Sequence, residues 1–166
     1  MRTLATQALR TFKRWMLRQL FDTFTGATRP SKADRDWTGR SVLEDEWVEE
    51  DRADAIPVAQ VDAAMASTGY NRARFHYVEG DVRETLPARA PDAIGLLRLD
   101  TDYYDSTLHE LTHLYPRLAP AGVLIIDDYG HYQGSRQAVD EYLAGAATYL
   151  SRIDYSARLA IKPHTR

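Results

Sequence analysis

The stretch AIGLLRLDTDYYDST, residues 93–107, passes from an apolar run straight into Asp100, Asp102 and Asp105. A continuous apolar run bounded by polar residues reads as a strand buried on both faces, the kind found inside parallel sheets. GVLIIDDYG, residues 122–130, repeats the arrangement, with Val123 to Ile126 ahead of the doublet Asp127-Asp128. Between them, Leu108, Leu111, Leu114, Tyr115 and Leu118 mark a helix, and Asp105 or Ser106 is available to cap it. Strand, helix, strand is the unit of a parallel α/β sheet.

The alternation extends outward in both directions. RQLFDTF reads as a short strand ending at Asp22, and ARFHYVEG as another, followed by Asp81. Leu4, Ala5, Ala8, Leu9, Phe12, Trp15 and Met16 mark an amphipathic helix over Met1 to Leu17, too interrupted by basic residues to be a targeting segment. Residues 41–50 and 58–68 suit helices, the second stopped by Gly69. Ser135 is placed to cap a helix carrying Ala138, Val139, Tyr142 and Leu143, and LSRID and ARLAIKP suit two closing strands. Residues 25–39 collect Gly, Pro and Asp without an apolar period, which reads as a long loop of the kind that serves as a lid. The expectation is one α/β domain over residues 1–166 with a mostly parallel sheet.

The 166 residues are 44% hydrophobic, but no run approaches the ~20 apolar residues of a membrane span, so a soluble protein without a membrane partner is expected. A net charge of -3 argues against a nucleic-acid partner. Residues 1–40 carry nine Lys and Arg against three acids, and Ser41 to Asp54 carry seven acids against Arg52; both blocks read as solvated surface. The absence of cysteine excludes disulfides, thiolate metal sites and cysteine nucleophiles, and fits a reducing cytoplasm.

In open α/β sheets, ligands bind beyond the carboxyl ends of the strands. Asp22, Asp81, Asp100, Asp127 and Asp128 all stand at such ends, so five acids are expected on one edge of the sheet. Carboxylates that close raise one another's pKa unless a cation sits among them. Asp100, Asp127 and Asp128 offer the hard oxygen donors that suit Mg²⁺. Such an ion lowers the pKa of a substrate hydroxyl and orients it for attack on an electrophile. Capping or solvation explains any single strand-end Asp equally well. The doublet is harder to explain that way, since two adjacent charges after a buried run are costly without partners.

His109 and His113 share a helix face at i, i+4 but lack a third ligand nearby. His131, three residues after Asp128, reads equally as a general base or substrate contact and as an exposed loop histidine. Asp100 and Asp102 point to different faces if the strand runs through both, which leaves open which of them acts as a base.

The block LLRLDTDYYDSTLHELTHLYPRLAPAGVLIIDDYGHYQGSRQAVDEY, residues 96–142, resembles the S-adenosylmethionine-dependent O-methyltransferases of the TylF/MycF type, the macrocin O-methyltransferase family. LFDTFTG at 20–26, STGY followed by FHYVEGDVRETLP, and RIDYSARLAIKP are similar to further parts of that family. The resemblance implies a Rossmann-like class I methyltransferase fold. It also implies O-methylation, in natural-product biosynthesis, of a hydroxyl on a sugar or glycosylated small molecule, using S-adenosyl-L-methionine and Mg²⁺. By the same resemblance, Asp100, Asp127 and Asp128 would hold the metal and Asp100 or Asp102 would help deprotonate the acceptor. Asp22 would accept hydrogen bonds from the adenosine ribose, and Gly80, Asp81 and Val82 would border the adenine.

One part of the resembling pattern is missing. The family's first strand and its glycine-rich turn should precede the opening helix, yet no Gly-x-Gly occurs in this chain. That turn is where backbone passes close to the cofactor. In the resembling fold the missing strand lies between the one ending at Asp22 and the one ending at Asp100, and each buried amide left unpaired costs about 1–3 kcal/mol. Three readings follow: an N-terminally shortened methyltransferase, a non-catalytic remnant or subunit completed by a partner, with homo-oligomer formation left open, and a glycosyltransferase using Asp100-Thr101-Asp102 as a DxD motif. The third leaves the Asp127-Asp128 doublet without a role.

Overall fold

Uninterrupted apolar runs become strands and the helical spacings become helices, in the order that the sequence sets. The computed structural model describes residues 18–45, 47 and 55–164. The expected helix over Met1 to Leu17, and most of the acidic stretch after Asp45, lie outside the described residues. The elements are β1 (Arg18–Asp22), α1 (Val42–Asp45), α2 (Val58–Ser67), β2 (Phe75–Glu79), α3 (Val82–Thr85), β3 (Ile94–Leu99), α4 (Tyr104–Leu114), β4 (Leu118–Ile126), α5 (Gln133–Tyr142), β5 (Ser151–Arg152) and β6 (Arg158–Ile161). The chain divides into two units, residues 1–27 with 52–81, and residues 28–51 with 82–166.

In the first unit β1 and β2 pair in parallel, from Arg18 opposite Phe75 to Asp22 opposite Glu79. Phe24, Phe75 and Val78 are buried, and the Phe24 and Tyr77 rings meet edge to face. The Tyr77 hydroxyl donates to Asp62 of α2, which also pairs with Arg72. Gly69, at φ 73, follows α2 as expected of a glycine that ends a helix.

In the second unit the strand order is β3-β4-β6-β5. β3 and β4 are parallel, and antiparallel pairing is confined to the closing strands β6 and β5. The α/β class read from the alternation is therefore the observed one. Leu97 and Leu99 lie opposite Leu124 and Ile126, and all four are buried. α4 buries Thr107, Glu110, Leu111 and Leu114, one stripe at helical spacing, while α5 buries Ser135, Ala138 and Val139.

Two expected caps differ. Neither Asp105 nor Ser106 caps α4, because the helix already begins at Tyr104; the Ser106 hydroxyl instead donates to the carbonyls of Thr101 and Tyr103. α5 likewise begins at Gln133, which leaves Ser135 inside it with a buried hydroxyl lacking a hydrogen-bond partner. The loop expected over residues 25–39 is fixed at its far end rather than loose. Asp36 is buried, accepts from the backbone of Thr38 and Arg40, and forms a bridge with Tyr132.

Candidate active site

The β3–β4 register builds the acidic site. Leu99 pairs with Ile126, so Asp100 and Asp127 leave the two strands side by side, and the Asp127 amide donates to the Leu99 carbonyl at 3.0 Å. Carboxylate oxygens of Asp100, Asp127 and Asp128 all lie within 4.8 Å of one another. This is the expected triad, and among the described residues no other His/Asp/Glu group has metal-ligand spacing.

A cation already stands at this cluster. The Arg98 guanidinium lies 2.6 Å from Asp100 and 3.0 Å from Asp127. Burial opposes its charge, but Asp100 and then Asp127 outweigh that and raise its pKa. Three carboxylates, if all ionised, would leave two negative charges against one guanidinium, and two of the acids relieve that repulsion by holding their protons more tightly. Burial, then Asp102 and Asp100, push Asp128 up to about 8, and burial raises Asp100 against the pull of Arg98. Three clustered carboxylates that a single guanidinium offsets only in part are a hard-oxygen donor set that fits a divalent cation.

Asp102 lies beyond the strand, at φ 65, so strand alternation does not govern its direction. Its amide donates to Asp128 at 3.2 Å, and it is outside the three-carboxylate group. His131 sits on the turn after Asp128, with its amide donating to the Asp128 carbonyl at 3.0 Å. Its Nδ1 faces the Tyr155 hydroxyl at 2.9 Å. Gly130 makes this turn possible: a Cβ there would meet the Tyr155 carbonyl oxygen and lie 2.8 Å from Ser156 Cα.

The acids expected on one sheet edge divide between two sheets. Asp22 ends β1 and Gly80 follows β2, with the Gly80 amide donating to the Asp22 carbonyl at 2.9 Å. One Asp22 carboxylate oxygen accepts from the Phe24 amide at 2.6 Å and holds the turn in which Phe24 takes φ 55. Gly80 has φ 130, a conformation open to glycine. Asp81 belongs to this first unit, and Val82, buried, begins α3 in the second. His109 and His113 stack edge to face at 4.4 Å, and His109 reaches the Leu86 carbonyl.

Two residues escaped the sequence reading. Arg98 is the charged residue inside an apolar strand, a break in pattern that could have been noticed. Glu110 is an acid on the buried stripe of α4; it accepts from the Thr101 hydroxyl at 2.8 Å, and burial pushes it up to about 8.

With this geometry in place, the likeness to known proteins becomes interpretable. The family model described as Macrocin-O-methyltransferase (TylF) matches residues 3–159. The chain is 36% identical over 102 residues to 8-demethyl-8-(2,3-dimethoxy-alpha-L-rhamnosyl)-tetracenomycin-C 4'-O-methyltransferase of Streptomyces olivaceus, covering 60% of this chain and 39% of that one. It is 37% identical over 86 residues to mycinamicin III 3''-O-methyltransferase of Micromonospora griseorubida, covering 48% of this chain and 34% of the relative. Among solved structures, the O-methyltransferase NovP superposes with a TM-score of 0.73 at 25% identity, over 94% of this chain and 64% of that one. A calicheamicin methyltransferase superposes at 0.68 with 23% identity, over 93% and 65%, and shares the fold. The chain thus spans less than two thirds of these relatives.

Proposed function

This chain belongs to the macrocin-O-methyltransferase (TylF) family, and from that premise we propose that it acts in the S-adenosyl-L-methionine-dependent, Mg²⁺-assisted O-methylation of a hydroxyl on a glycosylated natural product. The observation that carries the reading is the convergence of Asp100, Asp127 and Asp128 at the ends of two paired parallel strands, with Arg98 offsetting them only in part. These three residues would hold Mg²⁺, whose chemistry is to acidify an acceptor hydroxyl and fix its direction.

The chain's own groups do the rest. When bound, S-adenosyl-L-methionine would supply an electrophilic methyl group on sulfur, and a carboxylate oxygen of Asp100 or Asp102 would take the proton of the acceptor hydroxyl. Orientation and matched charge supply most of the rate in such a displacement. Asp22 keeps a second carboxylate oxygen for ribose hydroxyls, and Gly80, Asp81 and Val82 would border the adenine. His131 has its Nε2 available for the acceptor. The DxD reading is weaker, because the group with metal-ligand spacing joins Asp100 to Asp127 and Asp128 and does not include Asp102.

Calorimetric titration with S-adenosylhomocysteine in MgCl₂ tests this. Micromolar binding that weakens in EDTA supports it; no binding by the folded chain in either condition removes the activity from this chain and leaves the non-catalytic reading.

A further inference from the structure

The three carboxylates of the acidic cluster are not held alike. Arg98 fixes Asp100 and Asp127 from within β3, at 2.6 and 3.0 Å. Asp128 is buried and takes its hydrogen bond from elsewhere: its carboxylate accepts from the Asp102 amide at 3.2 Å. The direction of Asp128 therefore depends on the turn around Asp102, between β3 and α4.

That turn is strained. Asp102 has φ 65, and the Tyr103 amide donates back to the Thr101 carbonyl at 2.7 Å, the i to i+2 bond of a γ-turn, a conformation that costs a residue with a Cβ. Such a turn persists where its surroundings over-determine it. Thr101 is gripped by both its carbonyl and its side chain. The carbonyl also accepts from the Ser106 hydroxyl at 2.8 Å, and the Thr101 hydroxyl donates to Glu110 at 2.8 Å. Glu110 stands on the buried stripe of α4, 5% exposed, where the charges of Asp100 and Asp128 reach its carboxyl. Burying a carboxyl there is costly, and an apolar side chain would fill the position without that cost. What the acid contributes is its hold on Thr101.

We infer that Glu110 is a positioning residue for the metal: through Thr101 it fixes the Asp102 turn, and through the Asp102 amide the direction of Asp128, which makes the site selective for Mg²⁺ over Ca²⁺. It is not itself a ligand, since it lies outside the group with metal-ligand spacing. The two ions differ in what they demand of that group. Mg²⁺ requires near-octahedral oxygens at short distance, whereas Ca²⁺ accepts a larger and more variable shell. A carboxylate free to turn therefore costs Mg²⁺ more than Ca²⁺. The inference rests on the metal reading of Asp100, Asp127 and Asp128, and adds to it what sets the choice of ion.

Thermal melts of the full chain across a titration of MgCl₂, and separately of CaCl₂, test this; they yield both affinities and, in EDTA, the stability of the metal-free fold. Glu110→Met should weaken Mg²⁺ about tenfold or more and Ca²⁺ by no more than about threefold, with the EDTA melt held or raised. Glu110→Gln keeps an acceptor for the Thr101 hydroxyl and should retain both affinities within about threefold. Thr101→Val should reproduce the loss, and adding it to Glu110→Met should weaken Mg²⁺ no further, because the two ends of one bond do not add. The double variant leaves neither partner buried alone, so it reads the same loss if a single variant does not fold. Unchanged Mg²⁺ affinity in Glu110→Met, equal losses for the two ions, or a loss in Glu110→Gln as large as in Glu110→Met would overturn the inference and leave the metal reading standing. A folded parent chain that responds to neither ion sinks the metal reading, and the inference with it.

Discussion

Arg98 reaches across from β3 to Asp127 at the end of β4, 3.0 Å away, while its other terminal nitrogen holds Asp100 at 2.6 Å. One guanidinium thus bridges two of the three carboxylates assigned to metal binding. It stands in for part of the charge that a divalent ion would bring.

Replacing that bridge should therefore make the fold more dependent on metal. Arg98→Met is expected to lose about 1 kcal/mol in EDTA, a modest figure because the side chain is half exposed and water screens the pair. The stabilisation gained on adding MgCl₂ should be larger than in the unmodified protein. Thermal melts with and without Mg²⁺ check this, and equal Mg²⁺ increments in the two proteins would argue against a shared site.

Asp128→Asn should act in the opposite sense. Removing one of three clustered acids relieves a buried like-charge contact, so the EDTA melt should hold or rise, while the Mg²⁺ response should fall at least tenfold in affinity. A ligand at a hundred times its dissociation constant stabilises by about 2.7 kcal/mol, so loss of the response is readable as a missing shift in Tm.

Glu110 gives a pH signature. Its folded pKa is raised to about 8 from 4.5, so the unfolded chain loses its proton first and stability falls as pH climbs from about 4.5 to about 8, levelling above. Glu110→Gln lacks this component. Its advantage over the unmodified protein should grow between pH 5 and 8, by at most about 1.4 kcal/mol per pH unit and a few kcal/mol in all. Urea midpoints across that range, in EDTA, measure it; parallel curves would show that Glu110 stays ionised throughout.

Gly130→Ala should cost several kcal/mol or prevent folding, because the added methyl meets backbone of Tyr155 and Ser156 that cannot rotate aside. Gly95→Ala is the control. Nothing lies within 4 Å of a Cβ there, so its unfolding free energy from urea titration should stay within about 0.5 kcal/mol of the parent.

The strands that carry the acids were readable because buried runs such as Val123 to Ile126 leave little alternative, and the triad followed from where those runs stop. Caps were misread at Ser106 and Ser135 because capping depends on where a helix begins, and both helices begin a little earlier through aromatic and glycine residues with no capping signature. Arg98 and Glu110 were missed for a different reason. Each is a charge at an apolar position whose partner, Asp127 or Thr101, comes into reach only through folding. The bridge from Asp36 to Tyr132, across nearly a hundred residues, is likewise a tertiary product.

The pairing of β3 with β4 shifts register between Ile94 and Leu96, and from Leu96 to Leu99 runs without interruption to the acids. An extra residue inserted before Leu96 can therefore be taken up in an irregularity that already exists. One inserted after it has nowhere to go but forward, turning Arg98 and Asp100 together to the other face of the sheet. Length variation in this gene should be tolerated on one side of a single codon and silence the protein on the other, a boundary that an insertion scan would draw without reference to any substrate.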